Sequence, residues 1–223
     1  MGAIMKNSEL FSLYKTIAAP LILSCEYPWE VLFGIREFIV RCGSRLDKDK
    51  FERIGRYAWV AKSAKIAPSA CISGAVIIDE GAEMRHGAYI RGDAIIGKGA
   101  VVGNSSEVKG SVFFDEAKAP HFNYVGDSVL GFSAHLGAGA VISNLKSDKS
   151  EVSVSFLGEK IYTGRHKFGA AVGDGVEIGC GAVLFPGSVI GRGAVIYPQA
   201  TVRGYVPENT ILKSGGVTVK KQL

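Results

Sequence analysis

From Val60 onward this chain repeats every six residues. Val60, Ile66, Ile72, Ile78, Met84, Ile90, Ile96, Val102, Val108 and Phe114 stand at that spacing, and the position four after each is Ala or Ser in seven of these ten cases. The run resumes at Leu130, Leu136 and Ile142, pauses, and closes with Val172, Ile178, Leu184, Ile190, Ile196 and Val202. No α-helix or ordinary strand has this period. It is the period of a hexapeptide β-helix, an all-β fold in which each hexad makes one short strand and a turn, and stacked coils bury a continuous core. The aliphatic fills the prism, the small residue fits where the wall closes in, and glycine takes the corner conformations. Of 29 glycines, only Gly2, Gly34, Gly43 and Gly55 precede the repeats.

Residues 1–55 read differently. Ser8 to Phe11 reads as a helix start with Leu10, Phe11, Tyr14 and Ile17 on one face, and Pro28 opens a second helix carrying Leu32, Ile35, Phe38 and Ile39. This helical region is expected to cap the open first coil, whose free edges would otherwise template aggregation. A docking platform for a partner is the other reading. The domain plan is then a helical cap (1–55), the β-helix (56–213) and a C-terminal tail (214–223).

Two departures interrupt the repeat. One residue is missing between Val125 and Leu130, and some 27 residues of polar, repeat-free chain follow Asn144. Insertions leave such a prism as loops on one side, where binding residues gather, so a loop near 145–168 is expected to border the site.

Lys and Arg number 26 against 21 Asp and Glu, a formal charge of +5, but the basic residues are scattered. A solvated surface is the default, with no nucleic-acid partner. Cys25, Cys42, Cys71 and Cys180 form no C-x-x-C pair, which fits neither a zinc site nor a disulfide framework, so no structural metal and a reducing cytoplasm are expected. The apolar run Ile17 to Cys25 is nine residues and contains Pro20, too short to span a membrane.

The repeat pattern resembles that of hexapeptide-repeat acyltransferases, in which three hexads form one triangular coil with left-handed crossovers. Twenty or so hexads then imply roughly seven coils, about 4.8 Å apart. Arg91 and Lys109 each follow a core aliphatic and are 18 residues apart, which puts them on the same face of adjacent coils. Two cations that close repel unless an anion bridges them, and phosphate suits Arg and Lys. His121, in the same hexad phase 12 residues on, falls on a neighbouring face.

The words around these residues are more specific. Gly103 to Lys109, Lys118 to Asp127, and Leu136-Gly137-Ala138-Gly139 with Asn144 resemble the acetyltransferase domain of bifunctional glucosamine-1-phosphate acetyltransferase/uridyltransferases. Thr163 to Ala170 and Arg203 to Asn209 resemble the archaeal sugar-1-phosphate nucleotidylyltransferase/acetyltransferases. The resemblance covers about residues 60 to 213 and does not include the nucleotidyltransferase domain of those enzymes. It implies an acetyl-CoA-dependent N-acetyltransferase acting on an amino-sugar 1-phosphate. His121 would be the general base. Arg91, Lys109 and Tyr124 would contact the sugar phosphate, and Asn144 would orient the amine. His135 replaces a sugar-contacting Asn, and Lys149 stands in for archaeal lysines. Ala138, Cys180 and Pro198 would line the acetyl-CoA site, Cys180 in place of a Ser. Leu145 replaces a Tyr. A homotrimer is implied. A non-catalytic partner of a separately encoded nucleotidyltransferase is the alternative, and a zinc-dependent hexapeptide-repeat carbonic anhydrase is disfavoured because His86, His121, His135 and His166 include no closely spaced pair.

Overall fold

A computed structural model describes residues 5–222. The expected triangular β-helix is its architecture. Short strands follow one another around three walls. Wall I includes Val76–Ile78 and Ala94–Ile96, wall II Glu83–Met84 and Val101–Asn104, and wall III Tyr89–Arg91 and Glu107–Lys109. Wall III has seven strands, all parallel. Walls I and II have nine each, of which the outermost, Phe51–Ile54 and Thr218–Lys220, run antiparallel to their neighbours. That makes seven complete coils and an eighth with two walls.

Inside the prism the aliphatics stack in register: Ile72 on Ile90, Val108 and Val125, and Ile78 on Ile96. From Ile78 through Val202 these core positions are almost fully buried. One assignment shifts. Phe113, not Phe114, continues the core, because the step from Val108 is five residues. Phe114 points outward against Phe11, with ring centroids 5.0 Å apart. The step from Val125 to Leu130 is also five. His121 is displaced with them: it pairs with Asn104, two residues past a core position, and so lies at the corner between walls II and III.

The N-terminal region does not close the first coil. Helices α1 (Asn7–Leu10), α2 (Ala19–Leu23) and α3 (Pro28–Gly43) lie on the outer face of wall I. That face is apolar, carrying Trp59, Ile77, Ile95, Val112, Val129, Ala171 and Val189. Helix α3 buries the expected Leu32, Ile35, Phe38 and Ile39, but α1 ends after one turn and Tyr14 is exposed. Ile66 and Ile72, in the first coil, remain only partly buried. Phe51–Ile54 instead covers the wall I edge by pairing with Ala58–Ala61.

The insertion is less polar in behaviour than in composition. Ser153–Phe156 and Glu159–Tyr162 form an antiparallel hairpin, and Val152, Val154 and Phe168 are fully buried in the cluster on wall I. Covering wall I therefore falls to two segments, the helices and the hairpin.

The end of α3 is seated closely. A Cβ on Gly43 would lie 2.3 Å from the Trp59 ring. Alanine gains about 1 kcal/mol over glycine within a helix, whereas overpacking costs about 1–3 kcal/mol. Gly43→Ala is thus expected to lower stability in urea unfolding, while Tyr14→Ala leaves it nearly unchanged.

Candidate functional site

The site residues divide between the two ends of wall III. At the corner leading from wall II, the backbone forms a ladder from coil to coil: Phe122 N–H donates to Asn104 O, Gly139 N–H to His121 O, Gly181 N–H to Ala138 O and Gln199 N–H to Cys180 O. His121, Ala138, Cys180 and Pro198 therefore fall in one column, on from Asn104. His121 is exposed, and its backbone N–H is fixed by Asn123 Oδ1 at 3.0 Å. Asn123 is buried and donates to Gly137 O and Ala140 O, tying the His121 corner to the next coil.

At the corner leading to wall I stand Lys109, Asp127 and Asn144, and the side chain of Tyr124, the first residue of its wall III strand, reaches toward them. Lys109 is in register with Arg91, as expected. The anions beside them, however, belong to the protein. Lys109 Nζ lies 2.9 and 3.2 Å from the two oxygens of Asp127, and Arg91 Nη1 lies 3.1 Å from Glu107 Oε1. Asn144 Nδ2 also donates to Asp127. The Tyr124 hydroxyl lies against the same amide in the space a Cβ on Gly126 would fill. Burial pushes the Tyr124 phenol up, the Glu107 and Asp127 carboxylates add to this, and the Asn144 amide opposes it. Tyr124 is three residues after His121, so one short strand connects the two ends of the site.

Sequence reading gave Asp127 no role, although it is the hub of this cluster. Its signal was the shortened corner. Both five-residue steps pass from wall III to wall I, and in them Ser111 and Ser128 are fully buried, their hydroxyls bonded to Lys109 O and Gly126 O. Asp127 takes φ 46° there. A cavity of about 380 Å³ opens beside it, lined by Lys109 and Asp127 together with Phe33, Arg36 and Asp93. Arg165 also borders it, half-buried and stacked 4.5 Å from the Phe33 ring centroid. Burial lowers the Arg165 pKa below its usual value.

Two expected contacts lie elsewhere. His135 is on the outer face of wall II, its Nδ1 2.8 Å from Glu177 Oε2. Lys149 sits on an exposed turn at φ 57°, where its carbonyl is 3.0 Å from His166 Nδ1. Among the described residues no three His, Cys, Asp or Glu gather as a metal site, and no helix is long and apolar enough to cross a membrane.

The family described as the GMPPB C-terminal domain matches residues 72–168. The bifunctional sugar-1-phosphate nucleotidylyltransferase/acetyltransferase of Sulfurisphaera tokodaii is 44% identical over 82 residues, 37% of this chain and 20% of that protein. The bifunctional protein GlmU of Bacillus cytotoxicus is 30% identical over 116 residues, 52% of this chain and 22% of that protein. Over these stretches the chain is similar to these bifunctional enzymes. It spans about a fifth of the length of the curated relatives it matches. Among solved structures, a putative acetyltransferase from Desulfovibrio desulfuricans matches 85% of this chain and 33% of its own at 16% identity and TM-score 0.43. The acetyltransferase domain of PglB from Neisseria gonorrhoeae with acetyl coenzyme A matches 73% and 57% at 16% identity and TM-score 0.26.

The two ion pairs of wall III should differ in weight. Lys109 and Asp127 are 24% and 7% exposed, against 54% and 31% for Arg91 and Glu107. Removing one partner of a buried pair costs about 3–5 kcal/mol, and an exposed pair contributes about 0–1 kcal/mol. In urea unfolding, Asp127→Ala is expected to lose several times more stability than Glu107→Ala.

Proposed function

We propose that the chain is an acetyl-CoA-dependent N-acetyltransferase acting on an amino-sugar 1-phosphate, with His121 as general base. The observation that carries this reading is the alignment of His121 with Ala138, Cys180 and Pro198 at one edge of wall III, with the polar Lys109–Asp127–Asn144–Tyr124 cluster at the other. Ala138 and Cys180 are flanked by glycines on both sides, which leaves that corner low and open to an extended ligand. Acetyl-CoA supplies an activated acetyl thioester when bound there. The imidazole of His121 would take a proton from the amine as it attacks the thioester carbonyl, and as the C–N bond forms the C–S bond would break and CoA leave as its thiol; the base role needs the neutral ring. The Asn144 amide, held by Asp127, would orient the amine. Backbone N–H groups near Ala138 would face the thioester oxygen and stabilise the charge that develops on it. Arg91 and Lys109 would hold the sugar phosphate, which must then compete with Glu107 and Asp127. His135, paired with Glu177, would meet the acceptor only from a neighbouring prism, as would Lys149, so the reading includes a homotrimer.

That competition is also what favours a second reading. If Glu107 and Asp127 keep the two cations neutralised, the repeats would serve as the non-catalytic trimeric partner of a separate sugar nucleotidyltransferase.

Acetyl-CoA turnover with glucosamine 1-phosphate, set against pull-down of a partner, separates the two. For the enzyme, His121→Ala should lower kcat by about 10²-fold or more while KM for the sugar stays near wild type. His166→Ala should change neither. A His121→Ala protein with most of its turnover would sink the general-base role, and light scattering that gave a monomer would remove the intersubunit site.

Arg91→Ala and Lys109→Ala should raise KM for the phosphorylated sugar by about 10-fold or more, in keeping with charge-assisted contacts. Unchanged KM in both would make them structural charges only.

A further inference from the structure

The wall III to wall I corner continues past Asn144. Ser143 N–H donates to Leu184 O and Phe185 N–H to Val202 O, so Ser143, Phe185 and Arg203 occupy successive coils of the column that begins with Arg91 and Lys109. The hairpin of the insertion leans over this stretch and encloses a cavity of about 510 Å³. Its charge is unbalanced. Lys146, Lys160 and Arg203 line it against the single carboxylate of Asp148. Asp148 is committed within its own turn, accepting from both the backbone N–H and the hydroxyl of Ser150, bonds that hold its carboxyl below the usual range. Lys146 bonds to Ser150 Oγ and Glu151 O, which are neutral acceptors. Arg203 is spread over the Phe185 ring, 3.6 Å from its centroid. Among the described residues none of these three cations is ion-paired with a carboxylate.

This contrasts with the rest of the column, where Arg91 holds Glu107 and Lys109 holds Asp127. Three cations gathered at one cavity repel unless an anion joins them, and hydroxyls from Ser153 and Ser155 on the hairpin are at hand to donate to its oxygens. We propose that this cavity is a second anion site that takes a phosphate ester or diphosphate group, clamped between the coil corner and the hairpin. The site stands on its own residues and does not depend on acetyl transfer at His121. The phosphate could be the far end of an elongated acceptor that also reaches Lys109, or part of a separate phosphorylated ligand.

Inorganic pyrophosphate titrated into the full chain by calorimetry tests this. Binding is expected to weaken about tenfold or more in Lys160→Gln and in Arg203→Met, since each removes a charge-assisted contact, and to persist in Arg91→Ala. Matching circular dichroism and unfolding midpoints would show that the variants are folded, and Lys160, on the exposed hairpin, is the milder change. Pyrophosphate displaced by glucosamine 1-phosphate would make an amino-sugar phosphate the occupant of this cavity, and pyrophosphate retained would identify a separate phosphorylated ligand. Affinity unchanged in both Lys160→Gln and Arg203→Met, or lost only in Arg91→Ala, would overturn the proposal.

Discussion

Coil-to-coil pairing of the backbone governs everything else in this molecule. Because each strand is hydrogen-bonded to those of the coils before and after it, equivalent residues stack at about 4.8 Å, and every surface feature is a column. In such a column the next residue is always within reach, so like charges cannot simply spread apart as they do on a helix. At several outer positions a carboxylate one coil further along relieves this. Lys65 meets Glu83, Lys109 meets Asp127 and His135 meets Glu177, each one coil further along. The pairing at Lys109 is therefore one instance of a wider pattern on the prism surface.

What distinguishes that instance is burial, which follows from the two five-residue corners. A coil that loses a residue between walls III and I must turn more tightly, and the buried hydroxyls of Ser111 and Ser128 replace the missing backbone contacts. The tighter turn puts Asp127 in a left-handed conformation and draws it in over Gly110, where a Cβ would lie 2.6 Å from its carboxylate. A carboxylate held so rigidly can orient Asn144 as well as neutralise Lys109. The step that upsets the hexad count is thus the step that builds the cluster.

The six-residue period made the stacked prism legible, because that signal is repeated in every coil, and the resemblance to hexapeptide-repeat acyltransferases implied its three walls and so its number of coils. Single events were harder to read. The five-residue step at Val108 was hidden because Phe113 and Phe114 are both large and apolar, and either can continue the count. The position of the helices was legible in principle. Wall I strands place a second apolar residue beside the core one, as in Ile77-Ile78 and Ile95-Ile96, whereas wall III carries Tyr89 and Arg91 around Ile90. A wall that is apolar on both faces needs a cover along its length. Of the site, the residues in repeat phase were legible from motifs. Asp127 and Arg165 were not, since one depends on a deletion and the other on how the insertion folds back.

Covering wall I also determines where chemistry can take place. The helices and the hairpin occupy that face, so walls II and III are left uncovered, and the residues singled out from the sequence, Lys149 in the insertion apart, lie on them or at their edges. The cover is not inert where it meets wall III. Helix α3 brings Phe33 and Arg36 to the cavity beside Lys109, and Arg36 is tied to the coil through Asp93 at 2.8 Å. The hairpin does the same further along, at the cavity below Lys160. Both segments that the repeats need for burial thus end as the outer lips of polar cavities on one corner. A substitution that loosens either segment would reach those cavities through packing alone, without touching a polar residue.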